Sequence, residues 1–252
     1  MQMEGENMKR FYTGLMICSL IAALCRGEDA GFVPVQLSLF DPVQLFPSES
    51  DVMGVRLNVL YGDNRNVSGI DIGLCNDVEK NFTGIGLGGL VNLSGEATGI
   101  HVAGLGNVTA NGMSGLEIAG LMNLFYDTSA TRDSTWRGLQ LSAVANAGVV
   151  VRGLQVCGFG NMADDMKGLE VAGVGNFVDT MSGIQIAGLV NLGWNVEGAQ
   201  ISALYNRANK MNGLQFGLVN KTKEIHGLQI GLLNISEKNL TVSIIPLVHA
   251  SF

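Results

Sequence analysis

The sequence predicts an all-β fold, an elongated parallel β-solenoid of about 12 coils of about 15 residues each. Two observations lead to this prediction: one short unit recurs along nearly the whole chain, and 35 glycines accompany only 15% charged residues. Glycine costs about 1 kcal/mol relative to alanine at a helix position, so this composition disfavours a helical bundle. Extended structure with many tight corners fits the composition better.

A glycine opens each unit, and successive unit glycines lie 15 residues apart in most cases. One spacing of 23 residues marks an insertion at 125–135, which is rich in polar and turn-forming residues. Such an insertion is expected to loop out without breaking the stack. The unit glycines are Gly54, Gly69, Gly84, Gly99, Gly115, Gly138, Gly153, Gly168, Gly183, Gly198, Gly213 and Gly227.

Apolar and polar positions alternate around each unit glycine. The second position before it is apolar, as in Met166 and Met181, and so are the first and third positions after it, as in Ile184 and Ile186. The second position after it is nearly always polar and most often glutamine. This alternation is typical of a half-buried strand, so we expect the apolar residues to face the core and the glutamines to face solvent.

An asparagine closes eleven of the twelve units, and Tyr61 takes its place in the first. The same residue at the same place in every unit favours parallel stacking, with equivalent residues about 4.8 Å apart. Stacked asparagines can join their side-chain amides into a ladder that satisfies buried polar groups. The predicted structural ladder comprises Asn146, Asn161, Asn176, Asn191, Asn206, Asn220 and Asn234.

The chain divides into a signal peptide (1–30), an N-terminal cap (31–51), a repeat domain (52–235) and a C-terminal cap (236–252). The caps are apolar, proline-bearing and non-repeating, as expected of segments that cover the open ends of a solenoid. Two other architectures remain open, an array of β-hairpins and an outer-membrane β-barrel-like fold. The second is suggested by the alternating tail that ends in Phe252, although each unit is too short for two membrane-spanning strands.

The N-terminus has the layout of a secretory signal peptide. Lys9 and Arg10 precede an apolar run (11–24), which is followed by small and polar residues. The expected location is therefore secreted or at the cell envelope surface. Lipid attachment at Cys25 stays open, because Leu24 stands where a small residue is expected.

Charge and reactive side chains exclude several classes of function. A net charge of −7 and a pI near 4.9 disfavour nucleic acid as a partner. The three histidines share no evident site. Glu117 and Glu170 are three coils apart, about 14 Å by the stacking rise, which is too far for a glycosidase pair. We therefore predict no enzymatic activity, no cofactor and no metal site, with a carbohydrate-active β-helix enzyme as the remote alternative.

Two stacked columns form a candidate interaction face, one of glutamines and one of basic residues. A regular polar face of this kind suits a glycan or a protein at the cell surface. We predict a non-catalytic secreted or cell-surface structural or interaction protein, with an outer-membrane-inserted β protein as the alternative. The predicted face comprises Gln140, Gln155, Glu170, Gln185, Gln200, Gln215 and Gln229, with Arg137, Arg152 and Lys167 beside them.

The units GLQVCGFGN, GIQIAGLVN, GLQFGLVN and GLQIGLLN resemble those of bacterial secreted or surface repeat proteins built from GLQxGLxN units. The resemblance extends to PVQLSLF and PVQLFP near the leader and to RLNVLYG in the first unit, and it covers nearly all of the mature chain. It implies the repeat architecture and carries over no catalytic or binding residue. The chain departs from the plainest form where Arg56, Asp71 and His101 replace glutamine, and at the insertion after Asn123.

Overall fold

The computed structural model describes residues 31–128, 134–238 and 241–251. Regular structure in these ranges is β-strand, and the units stack in parallel as a β-solenoid of about 13 turns. The predicted signal peptide, with Cys25, and residues 129–133 of the predicted insertion lie outside the described residues. Within the described ranges, no helix has the length and apolar character needed to cross a membrane.

The strands of the described part form one continuous sheet that winds along the stack. Between residues 104 and 218, strands break at a two-residue bend in each coil, whereas β3 passes through more than three coils unbroken and β13 passes through the corner of the last coil. The strands are β1 (Phe32–Phe40), β2 (Val43–Gln44), β3 (Asp51–Ala103), β4 (Gly106–Ala110), β5 (Met113–Ala119), β6 (Met122–Tyr126), β7 (Trp136–Ser142), β8 (Ala145–Cys157), β9 (Gly160–Ala172), β10 (Gly175–Ala187), β11 (Val190–Ser202), β12 (Tyr205–Phe216), β13 (Val219–Lys238) and β14 (Thr241–Ser251).

Equivalent residues of neighbouring units lie side by side. β10 pairs in parallel with β9 and with β11, so that Gly168, Gly183 and Gly198 align across three coils. The predicted parallel solenoid is therefore confirmed. The two alternative architectures require antiparallel neighbours, and the repeat units pair in parallel instead.

Each unit glycine allows close approach to the preceding coil. Gly183 has a φ of +146°, and a Cβ at this residue would lie 2.0 Å from the carbonyl oxygen of Gly168. An L-residue disfavours that φ, and the overlap with a backbone atom leaves no room for any side chain. These two constraints explain why glycine recurs at the head of every unit.

The main apolar column of the interior is formed by the second residue before each unit glycine, and Trp136, Met166 and Met181 in this column are completely buried. This part of the predicted core is confirmed. Because side chains alternate along a strand, the column also determines which of the following residues face inward. The second residue after the closing asparagine adds a smaller group to the core, which consists of Val78, Phe125, Ala163, Val178 and Ala208.

The two ends of the stack differ. β1 pairs in parallel with β3, and Gln36 aligns with Arg56, so the predicted N-terminal cap continues the register of the repeat as a partial coil. At the other end, β14 pairs antiparallel with β13. This strand covers the last parallel edge, which would otherwise offer unpaired backbone groups to another chain.

The predicted insertion begins two residues later than expected. Phe125 and Tyr126 continue β6, and Phe125 packs into the core with only 1% of its surface exposed. The departure from the repeat therefore starts at Asp127. The chain re-enters the stack with Trp136 in the apolar column, aligned with Met113 of the coil before.

Candidate interaction surface

The glutamine column of the predicted interaction face lies inside the stack, so the prediction that it faces solvent is wrong. The second residue before each unit glycine is buried, and inward and outward positions continue to alternate through the glycine. The second residue after the glycine, the glutamine, therefore also faces inward. The buried members, all with 0% exposure, are Gln140, Gln155, Glu170, Gln185, Gln200, Gln215 and Gln229.

Burial of these amides is tolerated because each finds a partner in the neighbouring coil. The Nε2 atom of Gln200 donates to Oε1 of Gln185 at 2.9 Å, and Gln215 donates to Gln200 at 2.7 Å. Hydrogen-bonded polar groups are common in protein interiors, whereas unpaired ones are costly. The polarity of glutamine suggests that the column lies on the surface. However, the same amide recurs in successive coils, and this is the pattern that predicts the buried asparagine ladder, so it also indicates a buried glutamine ladder.

The first coils replace glutamine with other buried groups. Arg56 donates to Asp71 through Nε at 2.8 Å and through a terminal guanidinium nitrogen at 2.6 Å. His101 packs against Phe82 with ring centroids 4.5 Å apart, in the space left by Gly86. Burial lowers the pKa of His101 to about 4, so the imidazole is neutral at pH 7.

Glu117 occupies the column beside the start of the predicted insertion and is fully buried. Its carboxylate accepts hydrogen bonds from the Thr109 hydroxyl at 2.7 Å, the Trp136 indole at 2.8 Å and the Gln140 amide at 2.9 Å. Burial raises the pKa of Glu117, while the three donors oppose this shift. The carboxylate therefore connects Trp136 of the apolar column with Gln140 of the glutamine column by hydrogen bonds, and it is inaccessible to a substrate.

Glu170 is the second buried carboxyl group of the column. It accepts a hydrogen bond from Nε2 of Gln185 at 2.7 Å, and burial raises its pKa to about 7. Its Oε1 atom has no partner, and neither has Oε1 of Gln155 in the adjacent coil. A proton on Glu170 would supply the donor that glutamine provides elsewhere, since neither of the two unpartnered oxygens carries a hydrogen.

The predicted asparagine ladder is present. Each Nδ2 atom donates to Oδ1 of the asparagine in the next coil at 2.8–3.0 Å, from Asn58 to Asn234. The same amide also reaches a backbone carbonyl, as from Asn176 to Ile186 at 2.9 Å. In the first unit the ladder residue is Asn58 rather than the residue at the Tyr61 position. Its predicted members are Asn146, Asn161, Asn176, Asn191, Asn206, Asn220 and Asn234.

The aliphatic residues on either side of the buried glutamines face outward. We call them the aliphatic strip, the first and third residues after each unit glycine; Ile184 is 43% exposed and Phe216 is 51% exposed. The strip consists of Val55, Leu57, Ile70, Ile72, Ile85, Leu87, Ile100, Val102, Leu116, Ile118, Leu139, Leu141, Leu154, Val156, Leu169, Val171, Ile184, Ile186, Ala199, Ile201, Leu214, Phe216, Leu228 and Ile230.

No polar side chain interrupts the aliphatic strip in any of its coils. Three residues of strand span about 10 Å, and twelve coils span about 55 Å, so the strip covers roughly 550 Å². The largest apolar patch on a monomeric protein is typically about 300–600 Å² and is often functional, so the strip lies near the top of this range. The strip is therefore the strongest candidate for an interaction surface in the described part of the chain.

The predicted basic column borders the aliphatic strip. Arg137, Arg152 and Lys167 align in successive coils and face solvent, with Arg152 partly covered. Arg152 makes two contacts with the Asp165 carboxylate, at 2.8 and 3.1 Å. The pairing lowers the pKa of Asp165. Of the predicted interaction face, the basic column alone lies on the surface.

The segment of each coil that precedes the next unit glycine has a charged exterior. Exposed acids occur there in several coils, among them Glu79, Asp164, Asp179, Glu197 and Glu224. The perimeter of the stack is therefore apolar on one part and charged on another. Charged residues border the aliphatic strip on one side, while the other side leads to exposed apolar residues such as Phe159 and Leu189. An exposed apolar area of this size with a polar border is typical of a contact surface.

Across the described ranges, no group of three or more His, Cys, Asp or Glu side chains is arranged to hold a metal ion. Comparison of the chain with protein-family models, curated proteins and solved structures gives no match.

Proposed function

We propose that the protein is a non-catalytic structural or interaction protein, secreted or held at the cell envelope surface, and that its contact surface is the aliphatic strip. The observation that carries the proposal is the orientation of the strand after each unit glycine, which places the amides inside the stack and the aliphatic side chains outside. Exposing a continuous row of aliphatic residues is unfavourable in water, so the row is expected to be covered in the working state.

The position of the reactive side chains also supports a non-catalytic role. His101, Glu117 and Glu170 are buried within the stack, where no substrate can reach them. A carbohydrate-active enzyme needs two accessible carboxyl groups flanking the sugar bond. The acids of the glutamine column do not meet this requirement, because three coils separate them and both are enclosed.

Membrane insertion is the second candidate function, and the combination of polar interior and apolar strip is what favours it. Against it stand the exposed acids, including Asp179 and Glu197, which insertion would transfer into lipid. Carbonate washing of membranes from producing cells tests this candidate. Release of the mature chain by carbonate excludes insertion, and retention until detergent is added supports it.

The proposed function is tested by binding of the purified mature protein to producing cells and to a glycan and protein array. We expect Ile184→Lys combined with Ile186→Lys to lower binding at least about tenfold, because each lysine brings a charge into an apolar contact. The matched control, Thr180→Lys combined with Asn195→Lys, adds the same charge to the charged segment. Equal binding by both variants and the unaltered protein would exclude the strip as the contact surface.

A further inference from the structure

The aliphatic strip has a ridged surface with a fixed repeat. Each coil contributes one ridge made of its two outward aliphatic side chains, such as Leu169 with Val171 and Ile184 with Ile186. Parallel pairing in register sets neighbouring ridges about 4.8 Å apart. A surface that packs well against the strip along its length must therefore carry ridges with the same spacing.

A second copy of this chain has that spacing. Sheet faces pack about 10 Å apart, with the side chains of one face filling the gaps of the other. Two strips face to face bury roughly 1,100 Å² in total, twice the area of one strip. Specific protein interfaces bury at least about 1,000 Å², so the strip alone is large enough for a dimer that dissociates on dilution.

The two borders of the strip differ. Arg152 and Lys167 flank it on one edge, and Arg152 is engaged by Asp165. On the other edge the coil turns a corner with exposed apolar side chains, such as Phe159 and Leu189. Interfaces between protein copies typically have an apolar centre and a polar rim, and the charged edge supplies such a rim on one side. A strip of about 10 Å leaves the charged groups of that edge in water when two copies pack together.

We propose that two copies of the chain associate through their aliphatic strips, face to face, and that this dimer is the form in which the protein works. The inference rests on the proposed function, since it names the partner of the same surface. Each copy then presents its charged exterior and its ends to the surroundings. The association needs no ligand and no covalent step.

The test is the mass of the purified mature protein in detergent-free buffer, measured by sedimentation equilibrium between about 0.1 and 100 µM. We expect a dimer that dissociates on dilution. Ile184→Lys combined with Ile186→Lys is expected to raise the dimer Kd at least about 100-fold, because the two charges become buried within the interface. The control pair Thr180→Lys and Asn195→Lys is expected to leave Kd unchanged.

Circular dichroism and the urea midpoint of each variant, measured below 1 µM, show whether the stack is folded. A folded strip variant that is monomeric supports the dimer. A monomeric unaltered protein at 100 µM would overturn it, as would a dimer that the strip variant leaves intact. If the unaltered protein is monomeric but the strip variant still loses binding to cells, the dimer fails and the proposed function stands. If binding is also unchanged, both fail.

Discussion

Glu170 shows how one residue can make a repeat column sensitive to pH. Its neighbours in the column pass hydrogen bonds from amide to amide, but Glu170 has no N–H to donate to Gln155. Burial raises its pKa from 4.5 to about 7, so the carboxyl group is largely protonated at mildly acidic pH. In that state it takes the role that glutamine has in the other coils.

The pKa of Glu170 is higher in the folded chain than in the unfolded chain, so folding favours the protonated form. The stabilising contribution is complete below pH 4.5 and is lost as the pH rises through about 7. We expect Glu170→Gln to raise the free energy of unfolding by up to about 3 kcal/mol at pH 8.5. At pH 4.5 it should change little.

Urea unfolding at both pH values measures this effect, with Glu197→Gln as the control because Glu197 is exposed. The control removes the same charge without touching the column. An equal change for both variants at pH 8.5 would mean that burial of Glu170 is not the cause.

At the scale of the coil, the unit glycine fixes how closely neighbouring coils approach. Gly183 and Gly112 share a positive φ, +146° and +138°, but only Gly183 abuts the backbone of the preceding coil. A Cβ on Gly183 would lie 2.0 Å from the oxygen of Gly168, whereas one on Gly112 would lie 3.9 Å from its nearest neighbour, an oxygen of Thr135. Comparison of Gly183 with Gly112 therefore separates the effect of steric overlap between coils from the effect of the positive φ.

Gly183→Ala is expected to destabilise the stack by at least about 2 kcal/mol more than Gly112→Ala, because the coils must separate to admit the new methyl group. Thermal and urea unfolding of the two variants provide the comparison. Similar losses would show that the positive φ, and not the contact between coils, is what glycine is needed for.

The two ladders act together at this scale. Asparagine amides donate to the next coil, as from Asn176 to Asn191, whereas glutamine amides donate to the preceding coil, as from Gln200 to Gln185. The two buried chains of hydrogen bonds therefore run in opposite directions, and each coil depends on both neighbours for satisfied polar groups. The ends are closed as well: Gln36 bonds the backbone of Phe46, and His249 bonds Gln229.

At the scale of the molecule, the sequence predicts the stack, its parallel register, the apolar column and the asparagine ladder, because these follow from residues that recur at a fixed spacing. The sequence does not predict correctly which side of the strand faces inward after the glycine. The alternation of Ile184, Gln185 and Ile186 is compatible with either the isoleucines or the glutamine facing inward. Hydrophobicity alone favours the isoleucines, which is the wrong orientation. Met181 resolves the choice, since uninterrupted alternation from this buried residue places Gln185 inside.

The candidate surface could not be predicted for the same reason. When the strand is predicted in the wrong orientation, the aliphatic strip is assigned to the core and the glutamines are assigned to the surface. Arg137, Arg152 and Lys167 are placed correctly, because their position just before the glycine alternates with the apolar column that the sequence identifies as buried. Phe125 is predicted to belong to the insertion but lies in the repeat, aligned with Thr109. The spacing of 23 residues between two unit glycines does not show at which residue the insertion begins.

The orientation of the strand after the glycine is tested most directly by placing a lysine at two adjacent positions, Ile184→Lys and Gln185→Lys, and measuring urea unfolding below 1 µM. Gln185→Lys is expected to lose at least about 3 kcal/mol or fail to fold, because it puts an unpaired charge in the buried column. Ile184→Lys is expected to stay within about 1 kcal/mol of the unaltered chain, since its ammonium group reaches water. A stable Gln185→Lys variant together with an unfolded Ile184→Lys variant would show that the aliphatic residues face the core and the glutamine faces solvent.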